Sequence, residues 1–376
     1  MTRTVESLDA LMSRIVAEDR RKHDVIADTR RMSVSLRGTA IDPRAGNPRF
    51  DHSKSLTTTL TLDAENGLDE FVLTDHAQGQ IATDLGIPKR YFDRMKFDAP
   101  GLFKTNVQHW MQNEPKARMI RGLTNEGNAP MTGRAWMSDK FRRLDNIEVA
   151  RTLLPEFDKL GTEVVFHQAA VTEQKLHIRA LFPALERDIK AVGDTVRWGI
   201  AIENSEIGAG SLKLSGFVMV LICTNGMVTN KVLNVRHVGK REGEGVLSNE
   251  ALRADDTAFW LAARDELRAL CTEAAFETVV AQLKGLSDTE VISPVAATKV
   301  LAREFALTEA EEEAVMLSLV KDNNGVGKGQ WGMLNAFTAA AKEAEGFDRQ
   351  AEIESLGWGL AQMAPATWEK VALAVK

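Results

Sequence analysis

The feature that most constrains this chain is a change of hydrophobic period near residue 248. Between residues 116 and 250, apolar and polar positions alternate in ARMIRGL, RAWMS, TEVVFHQAAV, KLHIRALF, DTVRWGIAIENS, SLKLSGFVMVLICT and KVLNVRHV. A period of two belongs to strands. A single helical segment, EVARTLLPEFDKLG, interrupts them. From Ser248 the spacing becomes helical, with Phe259, Ala263, Leu267, Leu270, Ala274 and Val280 along one helix to about Leu283. Further helices are expected at 294–305, 309–320, 330–343 and 355–374, and Thr308-Glu309-Ala310-Glu311 reads as a capping box. Strands gathered first and helices afterwards imply an α+β fold, with a β-rich, mostly antiparallel N-terminal domain and an all-α C-terminal region.

The first hundred residues fit the same scheme. Residues 4–22 place Leu8, Leu11, Met12, Ile15 and Val16 on one helical face, while 32–75 are Ser-, Thr- and Val-rich and strand-like around a loop at Gly38–Asn47. Thr74 caps HAQGQIATDLG; Pro88 then precedes KRYFDRMK. This is a helix–turn–helix outline, which plain packing explains more readily than base reading does. Residues 101–115 read as a helix. The expected divisions are an N-terminal helix at 1–30, an α+β domain at 31–245 and a helical region at 246–376.

The longest strictly apolar run is the seven residues Phe217–Cys223, whereas a membrane span needs about 20. It reads as a central strand covered on both faces, with Cys223 buried and unreactive and Asn225-Gly226 forming a tight turn with Gly226 at positive φ. The N-terminus lacks the apolar core of a signal peptide, and Cys223 and Cys271 are too few for a disulfide framework. A cytoplasmic protein is expected.

Catalytic signatures are sparse. His167 and His177 lie in expected strands without metal-ligand spacing, and GVGKG at Gly325–Gly329 lacks the first glycine and the Ser or Thr of a phosphate loop. No metal or cofactor is expected, and an enzyme is the less favoured class. The polar turn Glu203, Asn204, Ser205 and Glu206, together with Asn225, is a candidate ligand loop, or a turn whose side chains bond the backbone.

Charge distribution says more. The net charge is −6. Residues 251–376 hold 12 basic and 20 acidic side chains, yet residues 83–143 hold 12 basic and 6 acidic. Cations there interleave with aromatics. Lys89, Arg90, Tyr91, Arg94 and Lys96 form one cluster, and Arg134, Trp136, Lys140, Phe141, Arg142 and Arg143 a second. Lys231, Arg236, His237, Lys240 and Arg241 form a third. Such interleaving suits a groove that tracks a phosphate backbone and stacks bases; ordinary solvated faces are the plainer alternative. The expected phosphate contacts are Arg134, Lys140, Arg142 and Arg143, with Trp136 or Phe141 as the stacking surface. The acidic helical region could serve self-association or a protein partner, or lie over the basic face as an electrostatic mimic.

DLGIPKRYFDRM (84–95), RMIRGL with GRAWMSDKFRRLDN (118–146), WGIAIENSEIGAGSLKLSGFVMVLICTNGM (198–227), RHVGK (236–240) and WGMLNAFT (331–338) resemble the phage- and plasmid-borne "domain of unknown function 932" family over roughly residues 30–340. The resemblance implies a mobile-element context and carries over no catalytic residues. The resulting expectation is a nucleic-acid-binding accessory protein favouring single-stranded DNA, in recombination, annealing or replication support. Two alternatives stay open: an enzyme acting through residues 203–237, and a protein-interaction module that modulates a host system.

Overall fold

The computed structural model describes residues 7–41, 49–64, 67–127, 129–189, 194–221, 225–235, 249–321 and 329–375. Helix α1 (Leu8–Arg21), capped by the Ser7 side chain, runs directly into strand β1 (Lys22–Asp28). After a 3-10 turn come β2 (Met32–Arg37), β3 (Thr57–Ala64) and β4 (Gly67–Leu73). Three helices follow, α2 (Asp75–Asp84), α3 (Lys89–Asp98) and α4 (Pro100–Asn113), then β5 (Ala117–Leu123) and β6 (Met131–Ser138). Thr74 caps α2 as expected, accepting a hydrogen bond from the backbone N–H of Ala77.

These strands make the first sheet, in the order β1-β5-β6-β4-β3-β2. All of its pairs are antiparallel except β4 with β6, where Phe71 lies opposite Met131. One face is apolar: Met32, Leu60, Phe71, Ile120 and Trp136 pack under Ile81, Phe92, Phe103 and Val107 of α2–α4.

Helix α5 (Asn146–Asp158) leads to the second sheet, an antiparallel meander of β7 (Val165–Val171), β8 (Leu176–Asp188), β9 (Thr195–Asn204), β10 (Leu212–Val220) and β11 (Asn225–Val235). Its inner face, including Ile178, Trp198, Ile200, Leu214 and Val218, lies in one continuous core. That core also takes in α1, α5 and the C-terminal helices α6 (Asn249–Leu270), α7 (Glu273–Lys284), α8 (Pro294–Glu304), α9 (Glu309–Lys321), α10 (Gln330–Ala340), α11 (Phe347–Ala361) and α12 (Pro365–Ala372). The fold is α+β, with strands in the first two thirds and helices at the end. Helix α1 ends at Arg21, so the residues before 30 include β1 of the first sheet, and the apolar core takes in α1 together with the C-terminal helices.

Three local expectations need correction. The helix from Ser248 to Leu283 is two helices, because Thr272 ends the first and caps α7 by accepting from the Ala275 N–H. The helix at 355–374 is also two, since Pro365 stands at the first turn of α12 and has no N–H to continue α11. Gly226 forms no turn: it lies inside β11, paired with Met219, and is not at positive φ. Its reason is space. A Cβ at Gly226 would lie 2.5 Å from Phe217 Cζ, and one at Gly216 would lie 2.1 Å from Trp198 Cη2. Phe217–Val220 is buried in central strand β10, as expected, while Cys223 lies outside the described residues. Cys271 is half-buried, and burial pushes its thiol up to about 12, so it is inert near neutral pH.

Candidate functional site

The two sheets meet at a buried ionic junction. Arg121 in β5 is fully buried; it donates to Asp24 (3.1 Å) and to the carbonyl of Glu206 (2.8 Å), and pairs with Asp145 at 2.7 Å. Glu206 receives Lys22 at 2.8 Å, Arg134 at 3.0 Å and the Asn146 N–H at 2.7 Å. Burial opposes every one of these charges. Even so, the Lys22 ammonium is held above its usual value by Glu206 and Asp145. Burial likewise acts against the carboxylates of Asp145, next to Arg121, and Glu206, next to Lys22, yet both end below their ordinary range.

The expected ligand loop is part of this junction. Asn204 donates to the Leu144 carbonyl and to Asn146 Oδ1, and Ser205 donates to the Gln174 carbonyl. The carbonyl of Ile207 accepts from Gln80 at 2.7 Å and lies 2.9 Å from His76 Nε2, both on α2. Each polar side chain of ENSEIGAG that the structure places here is bonded to protein. This strand end is a bracket joining the sheets. Glu203 points to the opposite face of β9, beside Lys213 at 3.4 Å and across from His177. Glu203 and Glu206 therefore do not converge on one cleft; His237 lies outside the described residues, and Asn225 begins β11.

The basic clusters separate by exposure. Trp136 is 4% exposed, and its indole N–H donates to Asp84 at 2.9 Å, so the expected stacking surface belongs to the core. Arg134 is held by Glu206, and Lys96 is buried, donating to Gln78 at 2.6 Å. Phe141 is half-buried, while Lys140 and Arg143 are exposed, Arg143 lying 3.7 Å from Asp24. Lys231 sits in β11; Arg236, His237, Lys240 and Arg241 lie outside the described residues.

Besides Lys140 and Arg143, the exposed members of these clusters among the described residues gather on one side of α3. Arg90, Tyr91 and Arg94 are all exposed, Tyr91 by 43%, and Arg94 lies 3.6 Å from the half-exposed carboxylate of Asp98. Residues spaced three and four apart share a helix face, so Arg94 neighbours both Tyr91 and Arg90, which themselves point apart. Two like charges four apart weaken a short helix slightly. Nothing in the packing of α3 calls for them.

Lys89, at the start of the same helix, lines an open cleft of about 880 Å³ between α2, the end of β6 and the β7–β8 turn. Its walls include Asp75, His76, Gln80, Asp84, Arg118 and Ser138. Inside it Lys89 bridges Asp75 (2.8 Å) and Asp93 (2.6 Å), and Arg118 grips Asp84 at 2.6 Å. Burial raises the Asp84 carboxyl, but Arg118 and the Trp136 N–H bring it below its usual range. Among the described residues, no group of three or more His, Cys, Asp and Glu side chains is placed to hold a metal, and no helix is long and apolar enough to cross a membrane.

The junction is what sequence reasoning missed. Its partners are distant in the chain, Arg121 and Asp24 being 97 residues apart. The available signal was charge placed inside a strand, since the arginine of RMIRGL alternates with residues that must be buried. No family model matches the chain, and no curated protein matches it.

Proposed function

We propose that this chain is a non-enzymatic nucleic-acid-binding protein that takes single-stranded DNA along the exposed face of α3 and the rim of the adjoining cleft. The observation that carries the reading is the exposed Arg90-Tyr91-Arg94 surface beside Lys89. Guanidinium groups neutralise phosphates, and the phenol ring on the same exposed side as Arg94 gives a base a face to stack on. The path continues along β6 to Ser138, which lines the same cleft, and then to exposed Lys140. Mixed charge inside the cleft favours a strand lying across its rim over one threaded through its floor. The resemblance to the "domain of unknown function 932" family adds the mobile-element setting, in which annealing or replication support is the role that fits a single-strand binder.

Electrophoretic shifts with single-stranded DNA, duplex DNA and RNA at two salt concentrations test the proposal. Single strands should bind best, with affinity falling as salt rises by a log–log slope of about −0.7 per phosphate contact. Absence of a shift with any of these ligands at about 50 mM salt and micromolar protein overturns the reading.

A further inference from the structure

One expected phosphate contact is already occupied by the chain itself. The Ser138 carbonyl accepts from the Phe141 N–H, closing a turn that carries the chain from the cleft to Arg142. Arg142 then meets α6. Its Nε and Nη2 donate to one oxygen of Asp256 at 2.9 and 2.7 Å, and its Nη1 lies 3.3 Å from Asp255. The guanidinium also sits 4.7 Å from the centre of the Phe259 ring. Aromatic and carboxylate thus hold the cation as a base and a phosphate would.

The two halves of α6 are anchored differently. In the second half Ala263, Leu267 and Leu270 are buried, and Arg268 binds Glu156 of α5 at 2.7 Å. In the first half, residues 254–258 are all exposed, and Asp255 and Asp256 keep more than half of their side-chain surface in water. Negative charge is in excess at this spot. Glu148 of α5 is raised above its usual value, first by burial, with Asp145 and Asp256 among the further causes. The Arg142 side chain is mostly covered, but its partners lie on the solvent side, and ion pairs with water-exposed carboxylates contribute little to stability.

We propose that the first turns of α6 are an intramolecular competitor for nucleic acid: Asp255 and Asp256 occupy Arg142, and a bound strand displaces them to complete its path beyond Lys140. The inference rests on the nucleic-acid reading above and adds to it a regulated end of the interface. It defines a low-affinity state with α6 seated and a high-affinity state with Arg142 on phosphate.

The test is a four-way comparison of the full chain: wild type, Asp255→Asn with Asp256→Asn, Arg142→Ala, and the triple variant. Each is titrated with a fluorescein-labelled thymidine oligonucleotide at two salt concentrations, and thermal melts verify folding. The double variant should bind roughly two- to tenfold tighter, since two ion pairs with solvent-facing carboxylates are relieved. Its salt slope should steepen by about 0.7, one added phosphate contact. Arg142→Ala alone should change affinity less than about twofold, and in the triple variant it should abolish the gain. Glu312→Gln with Glu313→Gln, on α9, makes the same change in net charge at another surface and should leave affinity unchanged. If wild type fails to bind at about 50 mM salt, the nucleic-acid reading falls and the competitor falls with it. If wild type binds and the double variant binds no tighter, or the α9 control gains as much, the competitor is refuted and the nucleic-acid reading stands. If none of the variants binds, both fall.

Discussion

Two groups of arginines in this molecule have the same chemistry and opposite surroundings. At the junction of the sheets, Arg121 and Arg134 are enclosed by Asp24, Asp145 and Glu206; on α3, Arg90 and Arg94 face water. The first group fixes how the sheets meet, because removing either cation would leave buried carboxylates short of counter-charge. The second adds nothing to packing and so is available to a ligand. Local charge density alone cannot separate the two, and burial can.

The largest expected effect comes from breaking the junction. Arg121→Ala leaves Asp24 and Asp145 facing each other without their shared cation and should cost about 3–5 kcal/mol of stability in denaturant unfolding. A loss below about 1 kcal/mol would mean that the junction is solvated and not a structural bracket.

Acid should act on the same region. The Asp145 and Glu206 carboxyls titrate below their ordinary range when folded, so their contribution is present above the unfolded value near pH 4 and is lost as pH falls through the folded values. Unfolding midpoints measured from pH 7 down to about 3 should therefore fall, and Arg121→Ala should flatten the dependence.

Trp136→Phe sharpens the comparison from the other side. It removes the hydrogen bond to Asp84 and should cost about 1–3 kcal/mol of stability, with oligonucleotide affinity preserved in the folded fraction. Tyr91→Ala should do the reverse, weakening single-strand binding by about 1–3 kcal/mol while moving stability by less than about 0.5 kcal/mol. The smallest effect is expected from Arg90→Ala or Arg94→Ala singly, each flattening the salt slope by about 0.7. Equal slopes in wild type and both variants would remove α3 from the interface.

Much of the architecture was legible because it depends on local pattern. The period change near 248 separates strands from helices, and the capping box at Thr308 forms as written, with Thr308 N–H to Glu311 and Glu311 N–H to Thr308 Oγ1. The break at Thr272 was hidden because neither Gly nor Pro marks it, only a capping hydroxyl within an otherwise helical run. The candidate site was half legible. A window around residues 134–143 shows cations and rings but cannot show that Glu206, 72 residues further on, claims Arg134, or that Trp136 turns inward to Asp84. Of the first cluster, Arg90, Tyr91 and Arg94 are exposed because the other side of α3 holds buried Phe92, Met95 and Lys96, a division that charge in the sequence does not show.

The glycines of the second sheet bear on how the meander finds its pairing. Slipping a strand by one residue exchanges its faces and is strongly opposed by the apolar pattern, but a slip of two keeps every side chain on its own side. Along Phe217–Val220 the residues are all apolar, so hydrophobicity alone distinguishes such a slip poorly. The rings do so by shape. Trp198 occupies the space a Cβ at Gly216 would fill, and Phe217 occupies that at Gly226. Moving β10 two residues along either neighbour would bring a ring against a side chain instead of a gap. These two notches act as a key for alignment, so Gly216→Ala or Gly226→Ala would admit misaligned sheets during folding as well as weaken the aligned one.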